Sequence, residues 1–127
     1  MARVLALTAD LLFGSRVQGA LVAAGHDVEL IVDGGRLRDR LADGAAPEAD
    51  VLVVDLTDAQ LDGATVVAAL NSEGELGSTR TLGFYSHVEA DARERAERAG
   101  FELVVPRSRM AREGAELLAR LLTAPRA

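Results

Sequence analysis

The apolar positions fall into short runs, separated at regular spacing by stretches with a helical repeat. Arg3-Val4-Leu5-Ala6-Leu7 reads as a first strand and halts at Thr8-Ala9-Asp10, where short polar side chains favour a turn or a helix cap. A helix is predicted over about 14–24, because Val17, Ala20, Leu21 and Ala24 repeat at i, i+3, i+4 and i+7, and Gly25 supplies a left-handed stop. Residues 28–32 form a second strand that ends at Asp33-Gly34-Gly35. A short helix with Leu37 and Leu41 one turn apart follows, then a loop over 44–47. Val51-Leu52-Val53-Val54 is apolar throughout and mostly β-branched, the pattern of a central parallel strand covered on both faces, and it ends at Asp55.

A helix over about 61–70 carries Leu61, Ala64, Val67 and Ala68, and 71–78 is a polar, glycine-containing loop before a fourth strand over 81–85. From 88 to 99 a thin stripe of Val88, Ala92, Ala96 and Ala99 is combined with the i, i+4 pairs Glu89–Arg93, Asp91–Arg95 and Glu94–Arg98, and Gly100 ends the helix. The fifth strand covers 101–105 and stops at Pro106. Ala111, Ala115, Leu118 and Leu122 then mark the last helix before a tail over 123–127. This alternation predicts an α/β fold: a doubly wound, five-stranded parallel sheet, (βα)5, with residues 1–127 as one domain and an ordered core over about 3–122.

Composition narrows the class. With 127 residues, 49% of them hydrophobic and 27% charged, the chain can bury a core and lies far from the disordered regime. Cysteine is absent, which excludes a disulfide framework, a thiolate metal site and a cysteine nucleophile, and suits a cytoplasmic location. Thr8 and Asp10 interrupt the first apolar run before a signal-peptide core can form, and no later run is long enough to cross a bilayer, so no membrane partner is expected. A net charge of −6, with basic residues interleaved among acidic ones, opposes binding to nucleic acid.

In a parallel sheet of this kind ligands bind beyond the carboxyl ends of the strands, here an edge assembled from 8–15, 33–35, 55–58, 86–87 and 106–109. Asp55 is placed there for ligation or phosphorylation, and equally for accepting backbone hydrogen bonds. Arg107, Ser108 and Arg109, with Ser86 and His87, could form an anion site, since arginine forks suit phosphate and carboxylate. Alternatively, one arginine pairs with Asp55 or Asp10 and the other is solvated. Asp58 and Asp62 read as loop and helix-start residues. Gly14-Ser15-Arg16 opens a helix, but 14–19 lacks the spacing of a dinucleotide fingerprint or P-loop.

The order and spacing of these elements resemble the receiver domains of bacterial response regulators, the CheY-like superfamily, from Arg3 to about Leu122. Val51-Leu52-Val53-Val54-Asp55 is similar to the family's central strand, which ends in the aspartate that accepts phosphate. Ala96-Glu97-Arg98-Ala99-Gly100-Phe101 is similar to the helix end and turn before its last strand. The resemblance implies a phosphoacceptor at Asp55 and an acidic pair holding Mg²⁺ after the first strand, yet that pair maps to Thr8 and Ala9, neither of which ionises. Asp10 comes one residue late, so a metal site would need Asp10 and Asp55 together across a reshaped turn. The family's small hydroxyl residue maps to Tyr85 or Ser86. Its lysine maps to Arg107, where a planar fork replaces a compact ammonium.

These departures describe a divergent or pseudo-receiver. The expected function is a stand-alone receiver-like regulatory or interaction domain, not an enzyme, that needs no cofactor and lacks conventional Mg²⁺-dependent phosphorylation. Arg107 is expected close enough to Asp55, and to Asp10, to stand in for the missing cation. A protein partner or a second copy would bind through the fourth helix, fifth strand and fifth helix, with Arg93, Glu97, Arg112 and Glu116. A rival is a binder of, or enzyme for, a small anionic ligand such as a phosphate, nucleotide or carboxylate, using Ser86, His87, Arg107 and Arg109; a third is a conventional regulator phosphorylated on Asp55.

Overall fold

Strands and helices alternate in the order β1 (Arg3–Leu7), α1 (Leu11–Ala23), β2 (Asp27–Ile31), α2 (Gly34–Ala42), β3 (Val51–Asp55), α3 (Gly63–Ser72), β4 (Arg80–Tyr85), α4 (Ala92–Ala99), β5 (Leu103–Pro106) and α5 (Arg107–Thr123). The structure is a computed structural model and describes residues 1–86 and 91–125. The strands form one five-stranded sheet in the order β2-β1-β3-β4-β5, and every neighbouring pair is parallel. β3 is central and buried at every position, as its unbroken apolar run requires. On the edge strand β2 the charged Asp27 and Glu29 face solvent and discourage pairing with another sheet.

The helices divide between the two faces. Phe13, Val17 and Leu21 of α1 and Met110, Leu117, Leu118 and Leu121 of α5 pack on Val4, Ala6, Val51, Val53, Leu82 and Phe84. On the other face Leu37 of α2, Val67 and Leu70 of α3 and Ala96 of α4 cover Leu5, Leu7, Leu52 and Val54. Successive strand residues point to opposite faces, so one period-two pattern serves both cores. Among the described residues no helix is long and apolar enough to cross a membrane.

Several boundaries differ from those the hydrophobic pattern predicts. α1 begins at Leu11, not near Gly14, because Asp10 caps it and Leu11 and Leu12 are helical although exposed. Its buried face is therefore Phe13, Gly14, Val17 and Leu21, while Ala20 and Ala24 face outward. α3 starts at Gly63 and runs through Asn71, which the pattern assigns to a loop. Phe101 lies in the turn that caps α4 and not in β5: Gly100 turns left-handed (φ 101°) and the Phe101 amide donates to the Ala96 carbonyl. Of the i, i+4 pairs expected on α4, Asp91–Arg95 closes at 3.5 Å, Glu94 and Arg98 form no ion pair among the described residues, and Glu89, like Val88, lies outside them; Arg93 meets Glu97 at 3.8 Å. Of the edge segment expected over 106–109, Pro106 ends β5 and 107–109 form the first turn of α5, which kinks at Glu113 (φ −128°, ψ 20°).

The register brings the carboxyl ends of the strands level. Leu7 lies beside both Ile31 and Val54, Asp55 beside Phe84, and Tyr85 beside Pro106. The strand order reverses between β1 and β3, so the residues that follow Leu7 and end β3 meet at the switch point of the sheet.

Gly63 sets the return from β3 into α3. A methyl group there would sit 2.5 Å from Val54 Cγ1 and 3.1 Å from the Asp55 carbonyl oxygen, and the backbone oxygen cannot move without disturbing the strand end. Gly63→Ala is accordingly expected to lower the unfolding free energy by about 1–3 kcal/mol, as overpacking of a filled core does. Urea melts would show this as a lower midpoint at unchanged slope; a stability equal to the parent's would mean that the approach of α3 to β3 is not tight.

Candidate functional site

Asp55 is 2% exposed, and both its carboxylate oxygens are taken by protein donors. The Thr8 hydroxyl donates to Oδ2 at 2.7 Å from the end of β1. The Thr57 amide and hydroxyl both donate to Oδ1, at 2.8 and 2.5 Å, in a turn that folds the chain back onto the aspartate. Thr8 is itself oriented: its oxygen accepts the Asp10 amide at 3.1 Å, which leaves its hydroxyl proton directed at Asp55. Gly14 lets α1 approach this hydroxyl residue, since a Cβ there would fall 2.9 Å from Thr8 Cγ2.

Asp10 performs a different task. Its Oδ1 accepts the Phe13 amide at 3.0 Å and caps α1, and its Oδ2 accepts from Arg107 Nη2 at 2.9 Å. The hydrogen bond donated by the Phe13 amide is the main cause that holds the Asp10 carboxyl below its ordinary pKa of 3.8, and the Arg107 charge adds to it while desolvation opposes both. The Arg107 guanidinium carbon lies 4.2 Å from the centre of the Phe13 ring, and Phe13 packs on Phe84 with ring centres 5.0 Å apart. Arg107 is thus fixed on three sides by a carboxylate, an aromatic face and its own place in the first turn of α5.

Of the two carboxylates expected beside Arg107, the structure gives it Asp10, and the expectation that it neutralises Asp55 is corrected. Among the described residues no ion pair joins Arg107 to Asp55; Arg107 pairs with Asp10, and hydroxyl and amide donors satisfy Asp55. The proposed metal pair of Asp10 and Asp55 is engaged otherwise: one Asp10 oxygen caps a helix and the other holds Arg107, while Thr8 and Thr57 occupy Asp55. With Thr8 and Ala9 uncharged, these residues do not fit a Mg²⁺ site, and among the described residues no group of three metal-ligating side chains is assembled.

The other candidates are spread along the edge. Ser86 follows β4 and is partly buried, Ser108 is exposed on α5, and Arg109 turns along its own helix to Glu113 at 3.4 Å. His87 lies outside the described residues. Asp58 accepts the Gln60 and Leu61 amides, and Asp62 occupies the N-cap position of α3 in a left-handed conformation (φ 46°) without a capping bond. Two participants escaped sequence reasoning. Thr57 was legible as the third residue of an Asp-x-Thr turn; Phe13 was hidden by the misplaced start of α1.

No protein-family model and no curated protein matches the chain. Solved structures do. A Chloroflexus aurantiacus chain described as a response regulator superposes with a TM-score of 0.84 at 15% identity, covering 97% of this chain and 98% of that one. The signal receiver domain of NarL from Mycobacterium tuberculosis gives 0.79 at 24% identity, covering 98% of both chains. The Mn²⁺-bound form of response regulator Rcp1 gives 0.81 at 15% identity, covering 99% and 98%. The chain has the flavodoxin-like fold of response-regulator receiver domains.

Double-mutant cycles read this wiring directly. Thr8→Val is expected to cost about 1–3 kcal/mol, because it leaves a buried carboxylate oxygen without its donor, and to couple strongly to Asp55→Ala. Asp10 and Arg107, with side chains 39% and 41% exposed, should couple by no more than about 1 kcal/mol after solvent screening. Arg107→Ala and Asp55→Ala should be additive. Coupling between that last pair as large as between Thr8 and Asp55 would contradict the geometry.

Stability should also depend on Asp10 in acid. Its folded pKa is lowered, so its contribution is complete above about pH 4, the unfolded carboxyl value, and is lost as the pH falls through the folded value below 3.8. Asp10→Asn keeps the helix cap but removes the charge. The difference in unfolding free energy between parent and variant should therefore shrink as pH falls below 4, measured by urea melts from pH 6 to 2.5. A constant difference would show that the charge of Asp10 is irrelevant.

Proposed function

We propose that this chain is a receiver-like regulatory domain that works through protein contacts and not through Mg²⁺-dependent phosphorylation of Asp55. The observation that carries the reading is the closure of the site. The carboxylate that would attack a phosphodonor is 2% exposed and saturated by Thr8 and Thr57, while Arg107 is held by Asp10. A nucleophilic oxygen engaged by such donors must lose a hydrogen bond before it can attack, and no acidic pair brings a cation to offset the incoming charge. The partner surface in this reading is α4, β5 and α5, where half-buried Leu103 and Val104 on the edge strand adjoin a charged face including Arg93, Glu97, Arg112 and Glu116.

A small-anion binder is the second reading, favoured by the partial exposure of the Arg107 guanidinium at the sheet edge, where one bond to Asp10 leaves other N–H groups for a ligand. It is weakened by Arg109, whose charge already meets Glu113.

One experiment separates the three readings. The chain is incubated with a small phosphodonor and Mg²⁺ and followed by intact mass, while a thermal-shift series scans inorganic phosphate, nucleotides and dicarboxylates. The expected result is no adduct and no shift. An adduct that disappears in Asp55→Asn would restore the conventional phosphorylated regulator, and a shift abolished in Arg107→Ala would favour the anion binder; for scale, a ligand at a hundred times its Kd stabilises by about 2.7 kcal/mol.

A further inference from the structure

The outer surface of α1 differs from that of the other helices. Leu11, Leu12 and Val22 are 61%, 88% and 52% exposed. With Met1 at the chain start, they are the large hydrophobic side chains that the described residues leave in solvent. Ser15, Arg16, Gly19, Ala20 and Ala23 between them are exposed as well, so this face carries one charge. The outward positions of α4, by contrast, are Arg93, Glu94, Arg95, Glu97 and Arg98.

Leu12, Ser15, Gly19 and Val22 follow one another at i, i+3, i+7 and i+10 and lie in one stripe along α1. At its middle is Gly19, where a Cβ would meet nothing within 4 Å. Glycine inside a helix is destabilising relative to alanine, and packing within the chain gives no reason for it here. It leaves room for the backbone of a second helix to approach closely.

Charge identifies that helix. α1 has no basic residue in its last turn to meet the negative end of its dipole, and exposed Asp27 follows shortly after; among the described residues neither Asp27 nor Arg16 has an ion pair. Two copies of α1 laid antiparallel across Gly19 bring Ser15 opposite Ala23 and Arg16 opposite Val22. Helical side chains lean toward their own N-terminus, so each Arg16 then reaches toward the other helix's C-terminus and Asp27. The single cation on the face thus matches the negative dipole end, which no basic residue of α1 meets, and the free carboxylate of an identical partner, twice over by the two-fold symmetry.

We propose that α1 is the contact of a homodimer, packed antiparallel at Gly19, with Leu12 and Val22 as apolar flanks and Arg16 reaching Asp27 of the second copy. The thirteen residues of α1 extend about 20 Å, so the contact falls below the standard interface size and the association is transient. It does not depend on the regulatory reading above, since it uses neither Asp55 nor Arg107.

Sedimentation velocity of the full chain, from micromolar to millimolar concentration, tests this. The sedimentation coefficient of the parent is expected to rise with concentration. Leu12→Glu should weaken association about tenfold or more, with far-UV circular dichroism and melting unchanged because Leu12 is already in solvent. Arg16→Asp and Asp27→Arg should each weaken it, and the two combined should restore it. A parent monomeric throughout, a Leu12→Glu variant that associates like the parent, a double reversal no better than its singles, or a loss of association confined to Arg112→Glu on α5 would each overturn the proposal.

Discussion

A carboxylate ends the central strand of this sheet, and much of the surrounding edge follows from the need to satisfy it. Asp55 is covered from both faces and from both neighbouring strands, so water cannot solvate it and the chain must supply its hydrogen-bond donors. Thr8 and Thr57 do so. Each donor constrains something else: Thr57 shapes the turn that leads to α3, and Thr8 fixes the backbone of Asp10, which caps α1. The direction of α1 and the return into α3 are thereby tied to one buried side chain.

This dependence extends to charge. Asp10 is drawn to α1 by the helix cap, and its second oxygen faces α5, where it receives Arg107. The pair is half-exposed and adds little to stability on electrostatic grounds alone. Its effect is mainly positional. Stacked on Phe13, which in turn packs on Phe84, the guanidinium joins the first turns of α1 and α5 to the core on that face of the sheet. A lysine would keep the charge but could not lie flat on the ring while reaching the carboxylate, which gives the arginine at this position a structural reason.

The fold was legible because each element carries its own period. The continuous run Val51-Leu52-Val53-Val54 could only be a strand covered on both faces, and it is. Boundaries were less legible where caps, not periodicity, decide them. Asp10 lengthens α1 by a turn that exposes two leucines, a choice no amphipathic pattern encodes, and the bond from the Phe101 amide to Ala96 assigns a phenylalanine with strand propensity to the turn that caps a helix. In the site, the residues were placed at the correct edge, and of the two carboxylates expected beside Arg107 one, Asp10, is its partner. Matching opposite charges could not tell Asp10 from Asp55. The structure satisfies the more buried carboxylate with short neutral donors, which reach it without bringing a bulky cation into the sheet, and leaves the cation to the more exposed Asp10.

That division of labour bears on how such a site can signal. Where a cation and a phosphoryl group come and go, the strand end must remain open to solvent and rich in charge. Here the same position is uncharged at Thr8 and Ala9 and closed over Asp55, whose donors are neutral, while Arg107 is held by Asp10. To reopen it, the Thr8 and Thr57 bonds must break together with the orientation they give to the α1 cap, so the carboxylate cannot be exposed without loosening the start of a helix. In the regulatory reading proposed above, a change of state would be driven by a partner that binds the rearranged form better than the closed one, since a ligand shifts a conformational equilibrium only by its difference in affinity for the two states. In that reading α5, which belongs to the proposed partner surface, is connected to Asp55 through the contacts of Arg107 with Asp10 and of the Asp10 amide with Thr8.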